Sequence, residues 1–292
     1  MRENGNEDAN RNSINWFPGH MAKTRRKIKE SLSLVDGVVE LRDARIPLSS
    51  VNPELNDLIE GKPKLILLNK CDLADEKATG EWLAFYKKQG IAAIPVDCKS
   101  GKGLNIFKQT VHEVLADTIK RNNEKGMSGR ALRLMVVGIP NTGKSSFINR
   151  MIGTSKAKVA DKPGVTKHNQ WFNIGGGIEL LDTPGVLWPK FDDPKVGDRL
   201  SFIGSVKDEV VDVETMAVRL IEVLARDYTS MLTERYKLGN IDGLEDYEIL
   251  ELIGRKRGML ISGGEIDTER AANTLLDEYR GGKLGKITLE RP

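Results

Sequence analysis

The stretch from Leu132 to Ile152, LRLMVVGIPNTGKSSFINRMI, narrows the possible folds more than any other part of the chain. An apolar run meets a turn in which Gly138, Gly143, Lys144 and Ser145 fit G-x-x-x-x-G-K-[ST], and a helical pattern follows at once. Strand, Gly-rich turn and helix in that order form one unit of a parallel sheet covered by helices. The turn also has a chemistry. Its glycines let backbone N–H groups face inward around a phosphate, and the positive helix end adds to the attraction. Thr142, Gly143 and Ser146 belong to this cradle; Lys144 is placed to neutralise β- and γ-phosphate charge, and Ser145 to ligate Mg²⁺.

The same alternation extends in both directions. VVELRD (38–43), KLILLN (64–69), IAAIPVD (91–97) and IELLD (178–182) are short apolar runs bounded by Gly, Pro or Asp. Between them NPELNDLIEG and TGEWLAFYKKQG are amphipathic and end in Gly, the usual helix stop. One longer helix is expected over about 103–122, followed by the polar linker NNEKGMSG. The expected fold class is therefore α/β, a parallel sheet with helices on both faces. Past about residue 195 no strand run is visible, and 207–227, 244–255 and 268–280 look helical. The expected division is a tail over 1–13, a nucleotide-binding domain over 14–192 and a smaller α-helical domain over 196–292.

Bulk properties exclude several classes. With 292 residues, 39% hydrophobic and 30% charged, the chain can bury more than one core. No apolar run approaches the roughly 18 residues of a membrane span, so no membrane partner is expected. The opening MRENGNEDANRNS lacks the apolar core of a signal peptide and the composition of a transit peptide, and reads as a disordered tail. Two cysteines, Cys71 and Cys98, cannot build a disulfide framework, which points to a reduced cytoplasmic setting. A net charge of +3 permits a nucleic-acid partner without requiring one.

Three further motifs choose the nucleotide. Asn69-Lys70-Cys71-Asp72 follows the run LILL. A carboxylate at Asp72 can accept from both N1–H and the exocyclic amine of guanine; adenine offers neither donor, so the wrong base leaves a charge unpaired. Lys70 is expected over the base plane, with Asn69 tying loops together. Asp182-Thr183-Pro184-Gly185 fits D-x-x-G, with Asp182 holding Mg²⁺ through water and the Gly185 N–H sensing the γ-phosphate. Thr166, in KPGVTK, is placed as the mobile loop's Mg²⁺ ligand. Asp97-Cys98-Lys99-Ser100-Gly101 stands where GTPases carry Ser-Ala-Lys, so Cys98 and Lys99 are expected to meet guanine O6 through their backbone, although Asp97 and Cys98 depart from that pattern. Order is decisive. Ordinary GTPases carry the P-loop first and NKxD late; here NKCD precedes the P-loop and DTPG closes the domain, a circular permutation that cutting and rejoining at surface loops allows.

On WFPGHMAK (16–23), DARIP (43–47), NKCD, GIPNTGKSS, PGVT, LDTPGVLWPK (181–190) and SGG (262–264), the chain resembles the RbgA (YlqF) family of circularly permuted GTPases. The resemblance implies a GTP hydrolase, binding GTP and GDP, that acts in late assembly of the bacterial large ribosomal subunit. Its implied partner is a precursor particle of rRNA and ribosomal proteins, with no DNA. Relatives with an N-terminal oligonucleotide-binding barrel or a zinc module do not fit two cysteines and this N-terminus.

Ras-like enzymes place a water-orienting Gln just after D-x-x-G; here Val186 stands there and cannot hydrogen-bond water. Two substitutes follow from the resemblance. His20 has an imidazole able to polarise water near neutral pH, or it caps its helix or meets RNA. Asn141 stands where potassium-activated GTPases carry a K⁺ ligand, the cation serving in place of an arginine finger, or it only braces its loop. His112 and His168 are assigned core or surface roles. AKTRRKIK (22–29) gathers Lys23, Arg25, Arg26, Lys27 and Lys29 with no acid between them, either a solvated face or a surface for rRNA phosphates. GRKRG (254–258) and RGGKLGK (280–286) form a second basic set, balanced by nearby Glu and Asp and ambiguous on charge alone; the resemblance implies that it contacts RNA. The competing functions are a GTP-regulated RNA-binding scaffold and an RNA-modification GTPase. The intact Mg²⁺ residues speak against the first, and the permuted motif order against the second.

Overall fold

The computed structural model describes residues 26, 28–153, 170–183, 185, 193–206 and 212–292. His20, Lys23, Arg25, Lys27, Thr166, Val186 and His168 lie outside the described residues, as does the 1–13 tail.

Six strands form one sheet: β1 (Gly37–Asp43), β2 (Lys64–Asn69), β3 (Ala92–Val96), β4 (Leu132–Val137), β5 (Gln170–Asn173) and β6 (Ile178–Asp182). Their order across the sheet is β3-β2-β1-β4-β6-β5. The period-2 geometry of strands sorts their side chains onto two faces. Val39, Leu41, Leu65, Leu67, Leu134 and Val136 enter one core, under Phe107, Val111, Phe147 and Ile148. The alternate residues Val38, Met135 and Val137 face Ile28, Leu32 and Leu55 on the other side, while Ile66 and Leu68 meet Trp82 and Tyr86. Two-sided burial explains why these strands read as continuous apolar runs.

The sheet helices are α1 (Pro53–Leu58), α2 (Glu76–Lys88), α3 (Phe107–Val114), α4 (Ala116–Glu124) and α5 (Lys144–Ile152). Asn52 and Asp75 cap α1 and α2 by accepting from Leu55 N and Ala78 N. Two expectations are corrected here. The sheet is mixed rather than parallel: β5 runs antiparallel to β6, because the short turn Gly175-Gly176-Gly177 returns the chain directly along the edge. The single helix over 103–122 is broken at Leu115 into α3 and α4. No Gly or Pro marks the break. Leu115 departs from helical backbone (φ −101°, ψ 16°) and is wholly buried beside Gly37.

Beyond the sheet follow α6 (Pro194–Phe202), α7 (Val213–Asp227), α8 (Thr229–Tyr236), α9 (Asp246–Lys256) and α10 (Thr268–Arg280). Sequence reading found α7, α9 and α10 but missed α6 and α8. Asp193-Pro194, an N-cap followed by Pro at the first helical position, was the available signal for α6. These helices share a core that also takes in Ile46, from the loop after β1, and Ile139, from the turn after β4. The helical region is thus seated on the loops at one end of the sheet.

The last residues run back across those loops. Ile287 N donates to Leu73 O at 3.0 Å and Leu289 N to Arg45 O at 2.8 Å. The Glu290 carboxylate accepts from Leu48 N at 2.6 Å, Ser49 N at 3.0 Å, the Ser49 hydroxyl and Arg199 Nη1 at 3.1 Å. No described helix is long and apolar enough to cross a membrane.

Candidate nucleotide site

From β1 the chain steps outward to β2 and β3, then returns to place β4 on the other side of β1. Connections on the two sides therefore leave in opposite directions, and a crevice opens at the carboxyl ends of β1 and β4. The loops that carry the sequence motifs meet there.

The turn after β4 is shaped by residues that tolerate left-handed backbone. Gly143 has φ +96°, and a Cβ added to it would collide with Asn69 Nδ2. Asn141 also adopts positive φ (62°). Helix α5 begins at Lys144, with Ser145 exposed and Ser146 partly buried on its first turn. Thr142 is buried and its hydroxyl donates to Ile139 O at 2.8 Å. Lys144 Nζ donates to Gly138 O at 3.0 Å and Ile139 O at 3.3 Å. Burial brings its pKa down to about 8, against the opposing charge of Asp182. Asp182 ends β6, beside Val136 of β4. A Cβ added at Gly185 would lie 2.7 Å from Lys144 Nζ, so that backbone passes close over the ammonium group.

Asn69 joins the motifs physically. Its Nδ2 donates to Thr142 O at 2.6 Å and its Oδ1 accepts from Cys98 N at 3.0 Å, so one side chain ties the Gly-rich turn to the loop after β3. That loop has its own framework. Burial pushes the Asp97 carboxyl upward, but hydrogen bonds from Ser100 and from the Lys99 and Ser100 amides outweigh it and hold the group below its ordinary range. Lys99 N donates to Asp97 Oδ1 at 2.8 Å, so the amides of both Cys98 and Lys99 already have partners inside the protein. The departure of Asp97 from the usual serine is thus a loop-building one. Cys98 is buried, and burial pushes its thiol up to about 12, which makes it a poor nucleophile.

Three features were not read from sequence. Asp43, at the end of β1 and fully buried, pairs with Arg45 at 2.9 Å and with Lys70 Nζ at 3.0 Å. Lys70, expected over a base, is held by this carboxylate. The signal was DARIP, which sequence gave only as a likeness. The Asn141 amide donates to Gly204 O, and Ser205 Oγ donates to Pro140 O at 2.8 Å, so the Gly-rich turn is attached to the end of α6. Arg280 in turn donates to Ser201 O at 2.9 Å and Phe202 O at 3.1 Å.

The basic segments are less free than their sequence implies. Arg26 and Lys29 are exposed, but Arg26 pairs with Glu30 at 2.9 Å, an acid just beyond the basic run. In the second set Arg257 pairs with Glu278 at 3.3 Å, Arg280 braces α6, and Lys286 pairs with Glu76. His112, assigned a core or surface role, meets Gly176 O at 3.2 Å on the surface.

A Gly-Lys-Ser turn at a sheet switch point, bridged to an N-K-x-D loop and flanked by D-x-x-G, defines a P-loop GTPase, here with its motifs in circularly permuted order. A family model described as "50S ribosome-binding GTPase" matches residues 133–249, beginning at the P-loop strand. The ribosome biogenesis GTPase A of Bacillus cereus is 44% identical over 280 residues, covering 96% of this chain and 94% of that protein. The chain belongs to the ribosome biogenesis GTPase A (RbgA/YlqF) family, GTPases of large ribosomal subunit assembly. Solved structures that resemble it include two of YlqF. GDP-bound TM YlqF has a TM-score of 0.66 at 32% identity and covers 91% of this chain and 99% of its own. GNP-bound YlqF from T. maritima has a TM-score of 0.67 at 33% identity, covering 92% and 98%.

Proposed function

We propose that this chain binds GTP with Mg²⁺, docks on an immature large ribosomal subunit in the cytoplasm, and hydrolyses GTP to leave it. The observation that carries this reading is the double hydrogen bond of Asn69, which sets the guanine-choosing segment against the phosphate-binding turn. Asp72 accepts from guanine, Lys70 flanks the base, and the loop of Cys98 and Lys99 walls its edge. Thr142, Gly143, Lys144, Ser145 and Ser146 surround the phosphates. Lys144 exchanges the carbonyls of Gly138 and Ile139 for phosphate oxygens, which restores a full charge to its amine. Ser145 and Asp182 lie at the start of α5 and the end of β6, and with Thr166 would supply the hard oxygen donors that Mg²⁺ takes. Bound there, Mg²⁺ would supply screening of the phosphate charge. Gly185, close over Lys144, responds to the γ-phosphate and passes its presence toward the helical region, the expected 196–292 domain.

With no glutamine after D-x-x-G, water is oriented by His20 once the ribosomal particle positions it. Asn141 presents its amide oxygen to K⁺, its nitrogen being engaged by Gly204. Arg26 and Lys29, with Lys23, Arg25 and Lys27, contact rRNA phosphates. The deciding experiment measures GTP turnover with and without purified large subunits, alongside co-sedimentation in GDP and in a non-hydrolysable GTP analogue. Turnover should rise with subunits, and the analogue should hold the protein on the particle. Equal turnover and equal sedimentation in both nucleotides would overturn the reading.

A further inference from the structure

The cluster of Asp43, Arg45 and Lys70 is an unusual use of buried charge. Asp43 has no exposed surface and Arg45 is 1% exposed. An uncompensated carboxylate there would be very costly, so its partners are held to a narrow geometry. Arg45 supplies three contacts to it: its own backbone N and its Nε each lie 3.0 Å from Asp43 Oδ1, and Nη2 lies 2.9 Å from Oδ2. The third nitrogen, Nη1, points away and donates to the carbonyls of Tyr279 and Arg280, both at 3.3 Å. Those are terminal carbonyls of α10, where the helix dipole is negative and a cation is favoured. The guanidinium also sits 5.2 Å over the Tyr279 ring.

Lys70 completes the array. Its backbone is left-handed at φ 60°, an unfavourable conformation for lysine. Its side chain is pinned at 3.0 Å by Asp43 Oδ2, the oxygen that also receives Arg45 Nη2. The position of the lysine therefore depends on where the carboxylate is fixed, and Arg45 fixes it.

We propose that Arg45 is a positioning residue for guanine recognition: it clamps Asp43, which holds Lys70 at the base site, and it fastens this array to the C-terminal end of α10. The proposal rests on the reading of Lys70 as a base-flanking residue. Lysine cannot replace this arginine, because a single ammonium group cannot grip both carboxylate oxygens and reach two carbonyls behind it. The link runs both ways, since a nucleotide that fixes Lys70 must also steady the end of α10.

The test is a double-mutant cycle on GDP affinity, read by calorimetry in the full chain. Arg45→Lys should weaken GDP binding roughly tenfold, a typical coupling between neighbouring groups. It should raise KM for GTP far more than it lowers kcat. In a Lys70→Ala background, Arg45→Lys should cost less than about twofold, because the group it positions is gone. If the two losses simply multiply, Arg45 is structural and the proposal falls. If Lys70→Ala alone leaves GDP affinity unchanged, the base-site reading falls and the proposal with it. Should Arg45→Lys fail to fold, hydrogen exchange in the wild-type protein decides. The Gly282 and Lys283 amides bond Tyr279 O at 3.1 Å and Glu278 O at 2.8 Å, in the turn that ends α10. Saturating GDP should slow their exchange at least about threefold in the wild type but not in Lys70→Ala. Unchanged exchange in the wild type would overturn the proposal.

Discussion

Replacing Asn69 by alanine tests the join between the two halves of the nucleotide site. The side chain is 3% exposed and its partners, Thr142 and Cys98, are 0% and 3% exposed. Both of its hydrogen bonds are therefore made away from water. Removing the amide strands the Thr142 carbonyl and the Cys98 N–H, each costing about 1–3 kcal/mol. Together that is about 2–6 kcal/mol, with the lower half expected because a water molecule can enter the space vacated beside Gly143. For a chain of this size each kcal/mol moves the melting temperature by about 2–4 °C, so the nucleotide-free variant should melt about 4–16 °C lower. GDP affinity should fall at least about tenfold, since the turn and the base loop no longer hold a common geometry. Asn69→Asp separates the two bonds. It keeps an acceptor for Cys98 N–H but sets a carboxylate oxygen 2.6 Å from the Thr142 carbonyl, where the amide nitrogen now lies. It should therefore be worse than alanine in both assays. Scanning fluorimetry and calorimetry supply the readings. An Asn69→Ala protein that melts within about 1 °C of wild type and binds GDP equally well would refute the bridging argument.

Four further outcomes follow from the structure. Lys144 has a pKa near 8 without nucleotide, so about half of its amines are neutral at pH 8, and phosphates should recharge them. GDP binding at pH 8 should then take up about half a proton, seen as a dependence of calorimetric heat on buffer ionisation enthalpy. The sign on folding runs the same way: lysine with a lowered folded pKa destabilises the apo protein while charged, so its stability should rise as pH climbs from about 8 to 10.5. If Asn141 ligates K⁺, hydrolysis should be faster in potassium than in sodium, and Asn141→Ala should abolish the difference while GDP still binds; equal rates in the two salts would remove it from the mechanism. Glu290→Ala should cost about 2–4 kcal/mol in urea unfolding, because it strands the buried Ser49 N–H and the Leu48 N–H and releases Arg199.

Sequence alone determined the chemistry and the central strands. The turn at 138–145, NKCD and DTPG are each contiguous, so the residues proposed for one ligand group lie within a few positions of each other. The strands β1, β2, β3, β4 and β6 were legible as short, mostly apolar runs between turn residues; β1 carries Glu40 and Arg42 into full burial, where they pair with each other at 2.8 Å. Tertiary structure decided what depends on partners far apart in the chain. The interruption at Leu115 falls where the side chain is wholly buried beside Gly37, a neighbour distant in sequence. The edge strand β5 has little apolar surface to announce it, with Trp171 37% exposed beneath the Arg133 guanidinium. In the second basic set Arg257 and Lys286 meet Glu278 and Glu76, partners distant in sequence that only the folded chain brings beside them. Most of all, sequence could name Asn69 and Lys70 but not their partners, because Thr142, Cys98 and Asp43 reach them only through strand pairing and loop closure. A pattern of residue types records local geometry and burial, whereas a hydrogen bond between distant residues is fixed only once the sheet has closed.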